Sequence, residues 1–283
     1  MRTRVLVCLL TAAAFCATVA AGAAPTAEPR VLVIGDSVAT GMYWHDDAIA
    51  AMQKNLAVYW QVAVCRTLTG TSCPFDGGRP PTLLDTVETL GHVPPIVVLV
   101  MGYNDPAPTF PAAVDDSLAA LTKAGAKHVL WLTLHAVRDP YPELNTDLEQ
   151  ARMRWPQLEL VDWNEAGAGH PAWFQSDGVH LLDSGGLAMA HLAHAAVIRL
   201  VDPLRIVTTL RLRDGRTSTL RLHARGGTPP YSWRVARGRP PKGFHLARNG
   251  AVVARPPSTA RARFTIGVTD ADGATAFATV ATR

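Results

Sequence analysis

Between residues 31 and 200 short apolar, β-branched runs alternate with stretches of helical periodicity, and after Leu200 that rhythm stops. Strand–helix–strand alternation returns every strand in the same direction, so it leads to a parallel sheet with helices on both faces. Val31-Leu32-Val33-Ile34 and residues 61–64, 96–101, 128–134 and 158–163 are the five expected strands. Helices are expected over residues 82–90, 111–124, 145–155 and 184–200. Pro111 suits a first helical turn and Gly125 a helix end, and Asp183 or Ser184 is the expected cap of the last helix. In such α/β folds ligands bind beyond the C-terminal strand ends. The loops after Ile34, Val64, Met101, Leu134 and Trp163 are therefore the ones to search.

Beyond Leu200 the pattern has period two, as in Thr208-Thr209-Leu210-Arg211-Leu212-Arg213 and Leu220-Arg221-Leu222-His223. Turn clusters at Asp214-Gly215, residues 226–230 and residues 270–273 separate these runs, which points to a small all-β sandwich over residues 204–283. Charge divides the chain at the same place. Residues 25–203 hold ten Lys/Arg against twenty Asp/Glu, whereas residues 204–283 hold fifteen against three. With 48% hydrophobic and 18% charged residues, the composition excludes a disordered or coiled-coil chain.

Residues 1–24 read as a secretory signal: Arg2 and Arg4, an uncharged apolar run, then Ala21-Gly22-Ala23 before Pro25. The apolar run is short for a membrane span, and no further span is expected after cleavage. Removing the signal leaves Cys65 and Cys73 as the only cysteines, an isolated pair expected to form a disulfide in an oxidising compartment. Two thiols without a nearby second pair or His pair are too few ligands for a zinc site.

Three short motifs lie at the searched strand ends. Ser37, in Gly35-Asp36-Ser37-Val38, follows the first strand, where a strand-to-helix turn can expose a hydroxyl. Ala39 breaks Gly-x-Ser-x-Gly, the usual nucleophile elbow of α/β-hydrolases. Asn104, in Gly102-Tyr103-Asn104-Asp105, follows the third strand and can offer an amide N–H to an oxyanion. Asp177 and His180, in Asp177-Gly178-Val179-His180, are spaced for a tight turn that brings carboxylate to imidazole. Taken singly, the three have structural readings: a helix cap, an Asx turn and a surface ion pair.

Together the three motifs resemble the SGNH (GDSL-type) hydrolase family over residues 30–200. The resemblance implies a flavodoxin-like three-layer α/β/α domain that hydrolyses or transfers acyl groups on oxygen, without metal or cofactor. It makes Ser37 the nucleophile, His180 the general base and Asp177 its orienter. Asn104 and the Ser37 backbone N–H would bind the oxyanion. The family's second block, which supplies a further oxyanion-hole N–H, departs from pattern here. Gly70 is one candidate, and the Cys65 or Arg66 backbone is the other. Arg66, Tyr103 and His135 are candidate substrate contacts, with Trp44 and His45 as rim residues.

The segment from Gly226 to Trp233, with Gly243-Phe244 and residues 264–270, resembles Ig-like modules of secreted bacterial proteins, which act as spacers or adhesive units. The expected protein is an exported or envelope-retained serine esterase acting on short O-acyl groups of small esters or of an envelope glycan. An O-acyltransferase using the same residues is the alternative, and a non-catalytic envelope-binding protein is a third. The basic C-terminal unit suits an anionic envelope polymer through screened attraction, and equally suits docking on its own acidic neighbour. Nucleic acid is not expected, since no reading motif accompanies the charge.

Overall fold

The computed structural model describes residues 28–210, 217–255 and 262–281. Five parallel strands form the larger unit: β1 (Arg30–Gly35), β2 (Ala57–Val62), β3 (Ile96–Val100), β4 (His128–Leu132) and β5 (Leu158–Val161). Their order is β2-β1-β3-β4-β5. β1 and β3 are buried almost throughout, as continuous apolar runs require. The order reverses between β1 and β3, so the loops leaving these strands part and open a crevice at their carboxyl ends.

Helices α1 (Thr40–Tyr43), α2 (Asp46–Gln53) and α7 (Asp183–Val201) pack together, as do α3 (Leu83–Leu90), α4 (Phe110–Ala124) and α5 (Tyr141–Arg154). The two groups cover opposite faces of the sheet, as right-handed crossovers on this strand order require. Thr82 and Asp85 cap α3 reciprocally. By length and composition α7 is apolar enough to cross a membrane, yet half of its apolar window is buried against the domain. His194 on α7 donates Nε2–H to the Lys54 carbonyl at 2.9 Å and ties the helix to the end of α2.

Several expected boundaries move. β2 starts four residues and ends two residues earlier than expected and leaves Val64 in the following turn. As an edge strand it is only half-buried, so its apolar pattern is weak. α5 starts at Tyr141, because Pro142 occupies its first turn. Trp163 opens the short helix α6 (Trp163–Gly167), where the Glu165 amide donates to the Asp162 carboxylate and the Asn164 amide to the Thr133 hydroxyl. Neither Asp183 nor Ser184 caps α7. Leu182 holds that position, and Ser184 donates instead to the Ala172 carbonyl.

The remaining strands are antiparallel: β6 (Arg205–Ile206), β7 (Ser218–Arg221), β8 (Ala224–Arg225), β9 (Ser232–Gly238), β10 (Phe244–Leu246), β11 (Ala251–Ala254), β12 (Arg263–Thr269) and β13 (Thr275–Ala281). Two three-stranded sheets, β10-β11-β7 and β13-β12-β9, share one core around Trp233, Val252, Phe264 and Ile266. The expected turn at Asp214-Gly215, residues 211–213 of the preceding run and the signal segment lie outside the described residues.

Candidate active site

β1 ends at Gly35, where a Cβ would sit 2.1 Å from the Ala39 Cβ. Only glycine lets the chain turn so tightly there. Asp36 then turns inward and is fully buried. Its Oδ1 accepts from the Val38 amide at 2.9 Å and its Oδ2 from the Tyr103 amide at 3.3 Å, so one carboxyl ties the β1 loop to the β3 loop. Burial pushes the Asp36 carboxyl up to about 7, against these two hydrogen bonds. Between its ordinary value of 3.8 and about 7 the folded form holds more protons than the unfolded one, so this group's contribution to stability falls as pH rises. Relative to Asp36→Asn, the wild-type melting temperature is therefore expected to stand highest near pH 4 and to lose ground by pH 8. Melts of the pair across that range check this, and a wild-type advantage that grows with pH contradicts it.

Ser37 follows, with its hydroxyl 3.0 Å from His180 Nε2. Among the described residues nothing accepts from the Ser37 N–H. His180 Nδ1 lies 2.5 Å from Asp177 Oδ2. Asp177 Oδ1 accepts from the Val179 and His180 amides at 2.9 and 3.0 Å. Burial opposes ionisation of Asp177, but the ring and amide hydrogen bonds outweigh it and hold the carboxyl below its usual range. An ionised Asp177 accepts a hydrogen bond from Nδ1–H, which leaves the Nε2 lone pair facing the Ser37 hydroxyl. The turn is a miniature hairpin: Phe174 pairs with Leu181, the Gln175 amide donates to the His180 carbonyl, and Gly178 takes a φ of 71°. This explains why a three-residue spacing suffices. A hydroxyl, an imidazole and a carboxylate in this series can transfer a proton away from the hydroxyl as it attacks.

Asn104 donates Nδ2–H to the Arg66 carbonyl at 3.1 Å, which brings the β2 loop beside the β3 loop. The Leu68 amide donates to Asp105 Oδ1 and fixes the same junction. Cys65 and Cys73 are joined as a disulfide, with Cα atoms 5.1 Å apart. The Arg66 amide is committed to the Ala63 carbonyl. Gly70 is exposed and does not line the space around Ser37, whereas Val64 does.

The expected substrate contacts Arg66, Tyr103 and His135 are instead occupied by the protein. Arg66 is 3% exposed, and its guanidinium donates to the Gln61 and Pro81 carbonyls and so pins the β2 loop. The Tyr103 hydroxyl accepts from the His135 amide at 2.8 Å, and its ring packs edge-on to Tyr141. His135 stacks on Phe174 and donates Nδ1–H to the Gly178 carbonyl at 2.8 Å. With Arg138, which donates to the Asp177 carbonyl, it braces the Asp177–His180 turn. Each of these polar groups found a backbone partner, a choice made by tertiary packing that local sequence does not reveal.

Ser37 and His180 open into a cavity of about 380 Å³. Trp44 and His45, expected at the rim, line it. Phe75, Gln175 and Asp183 also line it and were not expected to. The signal for Phe75 was present: Asp76-Gly77 is a hairpin dipeptide, and it lifts the aromatic ring into solvent. Among the described residues no three His, Cys, Asp or Glu side chains converge as a metal site.

No protein-family model matches the chain. Over 97 residues it is 32% identical to the O-acetyltransferase OatA of Staphylococcus aureus, in strains NCTC 8325 / PS 47 and COL alike. That alignment takes in 34% of this chain and 15% of the relatives' length. Among solved structures, the carbohydrate acetylesterase Est24 from Sinorhizobium meliloti aligns with 61% of this chain and 99% of its own, at 16% identity and a TM-score of 0.45. The psychrotrophic esterase EstA from Pseudoalteromonas sp. aligns with 60% and 97%, at 14% identity and a TM-score of 0.45. An aryl esterase of M. smegmatis aligns with 61% and 100%, at 15% identity and a TM-score of 0.44.

Proposed function

We propose that the chain is an exported carboxylic ester hydrolase of the SGNH type, acting on short O-acyl esters through an acyl-enzyme on Ser37. The observation that carries this reading is the Ser37–His180–Asp177 series, at 3.0 and 2.5 Å, opening directly into a cavity. Ser37 Oγ attacks the acyl carbon as His180 Nε2 takes its proton. Asp177 holds the ring and balances the imidazolium charge. His180 then returns the proton to the leaving alkoxide. Water repeats the sequence on the acyl-enzyme and releases the acid.

The oxyanion needs fixed donors. We assign the Ser37 N–H, the second Nδ2 hydrogen of Asn104 and the Cys65 N–H, because Arg66 has spent its amide on the preceding turn. The disulfide then stiffens a donor loop. Asn104→Ala is expected to lower kcat about 10²–10³-fold, and steady-state kinetics on p-nitrophenyl acetate check it. The Ig-like identity of the C-terminal unit and its hold on an anionic envelope polymer belong to the same reading, supported by its antiparallel sheets and its charge.

The test is p-nitrophenyl acetate turnover with stoichiometric fluorophosphonate labelling mapped to the Ser37 peptide. Folded protein that neither turns over nor labels overturns the proposal. The partial likeness to an O-acetyltransferase favours one second reading, in which a sugar hydroxyl replaces water in the second half-reaction. Labelling without hydrolysis, followed by acetyl transfer to an added saccharide, would select it.

A further inference from the structure

Two large aromatic side chains on the rim of the Ser37 cavity face solvent: Trp44 is 66% exposed and Phe75 52%. Isolated exposed aromatics are ordinary, but two on one cavity beside a nucleophile mark a binding surface. Their backbones are fixed although their rings are free. Trp44 closes α1 with its amide on the Thr40 carbonyl. Phe75 starts a two-residue hairpin in which it and Gly78 exchange both backbone hydrogen bonds, with Asp76 and Gly77 at positive φ. That hairpin follows the Cys65–Cys73 closure directly, and Arg79 donates back to the Ser72 carbonyl.

A polar pair stands on the same cavity. His45 Nε2 lies 3.4 Å from Asp183 Oδ1, with the carboxylate largely in water. Exposed aromatic faces on fixed backbone beside a donor–acceptor pair match one kind of alcohol. A sugar ring presents C–H faces that lie on aromatic planes and hydroxyl edges that need such partners. An unfunctionalised alkyl alcohol would leave the His45–Asp183 pair unused, and an anionic alcohol would meet the Asp183 charge.

We propose that Trp44 and Phe75 form a stacking platform for the sugar half of an acylated saccharide, whose hydroxyls are read by His45 and Asp183. The assignment of the alcohol half rests on the ester-hydrolase reading, but the platform can be tested apart from turnover. The probe is 6-O-acetyl-D-glucose, which keeps its other hydroxyls free, titrated calorimetrically into full-length Ser37→Ala protein. Ser37→Ala is expected to bind it. Adding Trp44→Ala or Phe75→Ala should weaken binding at least ten-fold, and Trp44→Tyr should restore most of it. In proteins with Ser37 intact, the ratio of kcat/KM for the sugar ester over ethyl acetate should fall at least ten-fold in Trp44→Ala. Failure of Ser37→Ala to bind the sugar ester overturns the platform. So does equal binding with and without Trp44 and Phe75 in variants whose melts match. Binding that depends on Trp44, in a wild-type protein that releases no acetate from either ester, sinks the hydrolase reading and leaves the platform standing.

Discussion

Changing Ser37 to alanine is expected to lower kcat for p-nitrophenyl acetate about 10⁶-fold, and His180→Ala should cost as much. The two act as one device, so the double variant should fall no further than either single one. Asp177→Asn is the sharper experiment, with an expected loss of about 10⁴-fold. Asparagine keeps Oδ1, so the Val179 and His180 amides retain their acceptor and the turn retains its shape. What changes is the group facing Nδ1. An amide N–H in place of carboxylate Oδ2 forces Nδ1 to accept, moves the ring proton to Nε2 and removes the base from the Ser37 hydroxyl. Steady-state rates beside matched thermal melts test this. A loss below ten-fold in folded Asp177→Asn contradicts the assigned tautomer, and a double variant with additive losses contradicts the shared mechanism.

The parts of the site legible in sequence are those that backbone geometry imposes. Gly35 is needed for the turn after β1, and the Asp177-x-x-His180 spacing closes a hairpin on itself, so residue type and spacing carry the message. Arg66, Tyr103 and His135 were less legible because each is a polar group at a strand end, where substrate and backbone compete as partners. Arg66 went to two carbonyls, Tyr103 to the His135 amide and His135 to the Gly178 carbonyl. Which partner wins depends on loops distant in sequence.

The fold divides in the same way. β1 and β3, buried on both faces, are unmistakable apolar runs. The edge strand β2 has Tyr59 in solvent and lacks that signature, so its first four residues were missed. The helices after Ser37 escaped because Trp44 and His45 break them into pieces of four and eight residues, too short for a clear period.

Gly186→Ala tests how the fold sets the Ser37–His180 distance, and here two effects oppose each other. Alanine favours helix over glycine by about 1 kcal/mol, so propensity alone forecasts a more stable protein. But Gly186 lies in the first turn of α7, and a Cβ there would fall 1.9 Å from the carbonyl oxygen of Gly41 in α1. Its neighbour Gly185 is as confined, 2.1 Å from the Trp173 carbonyl oxygen. Both obstacles are backbone, which cannot rotate away. Overpacking of this kind costs about 1–3 kcal/mol and occasionally more, which outweighs the propensity gain. The displacement also reaches the chemistry. The Gly41 amide donates to the Val38 carbonyl, one residue past Ser37, and Gly41 packs on Leu181, the residue after His180. Pushing α1 from α7 therefore separates the two reacting groups, and a shift of about 1 Å can cost about 10²-fold in rate. Gly186→Ala is expected to be less stable in urea and slower on p-nitrophenyl acetate. Gly78→Ala, where a Cβ meets nothing within 4 Å, should be close to neutral in stability. If Gly186→Ala matched the wild type in both stability and rate, α1 and α7 would not be what holds Ser37 against His180.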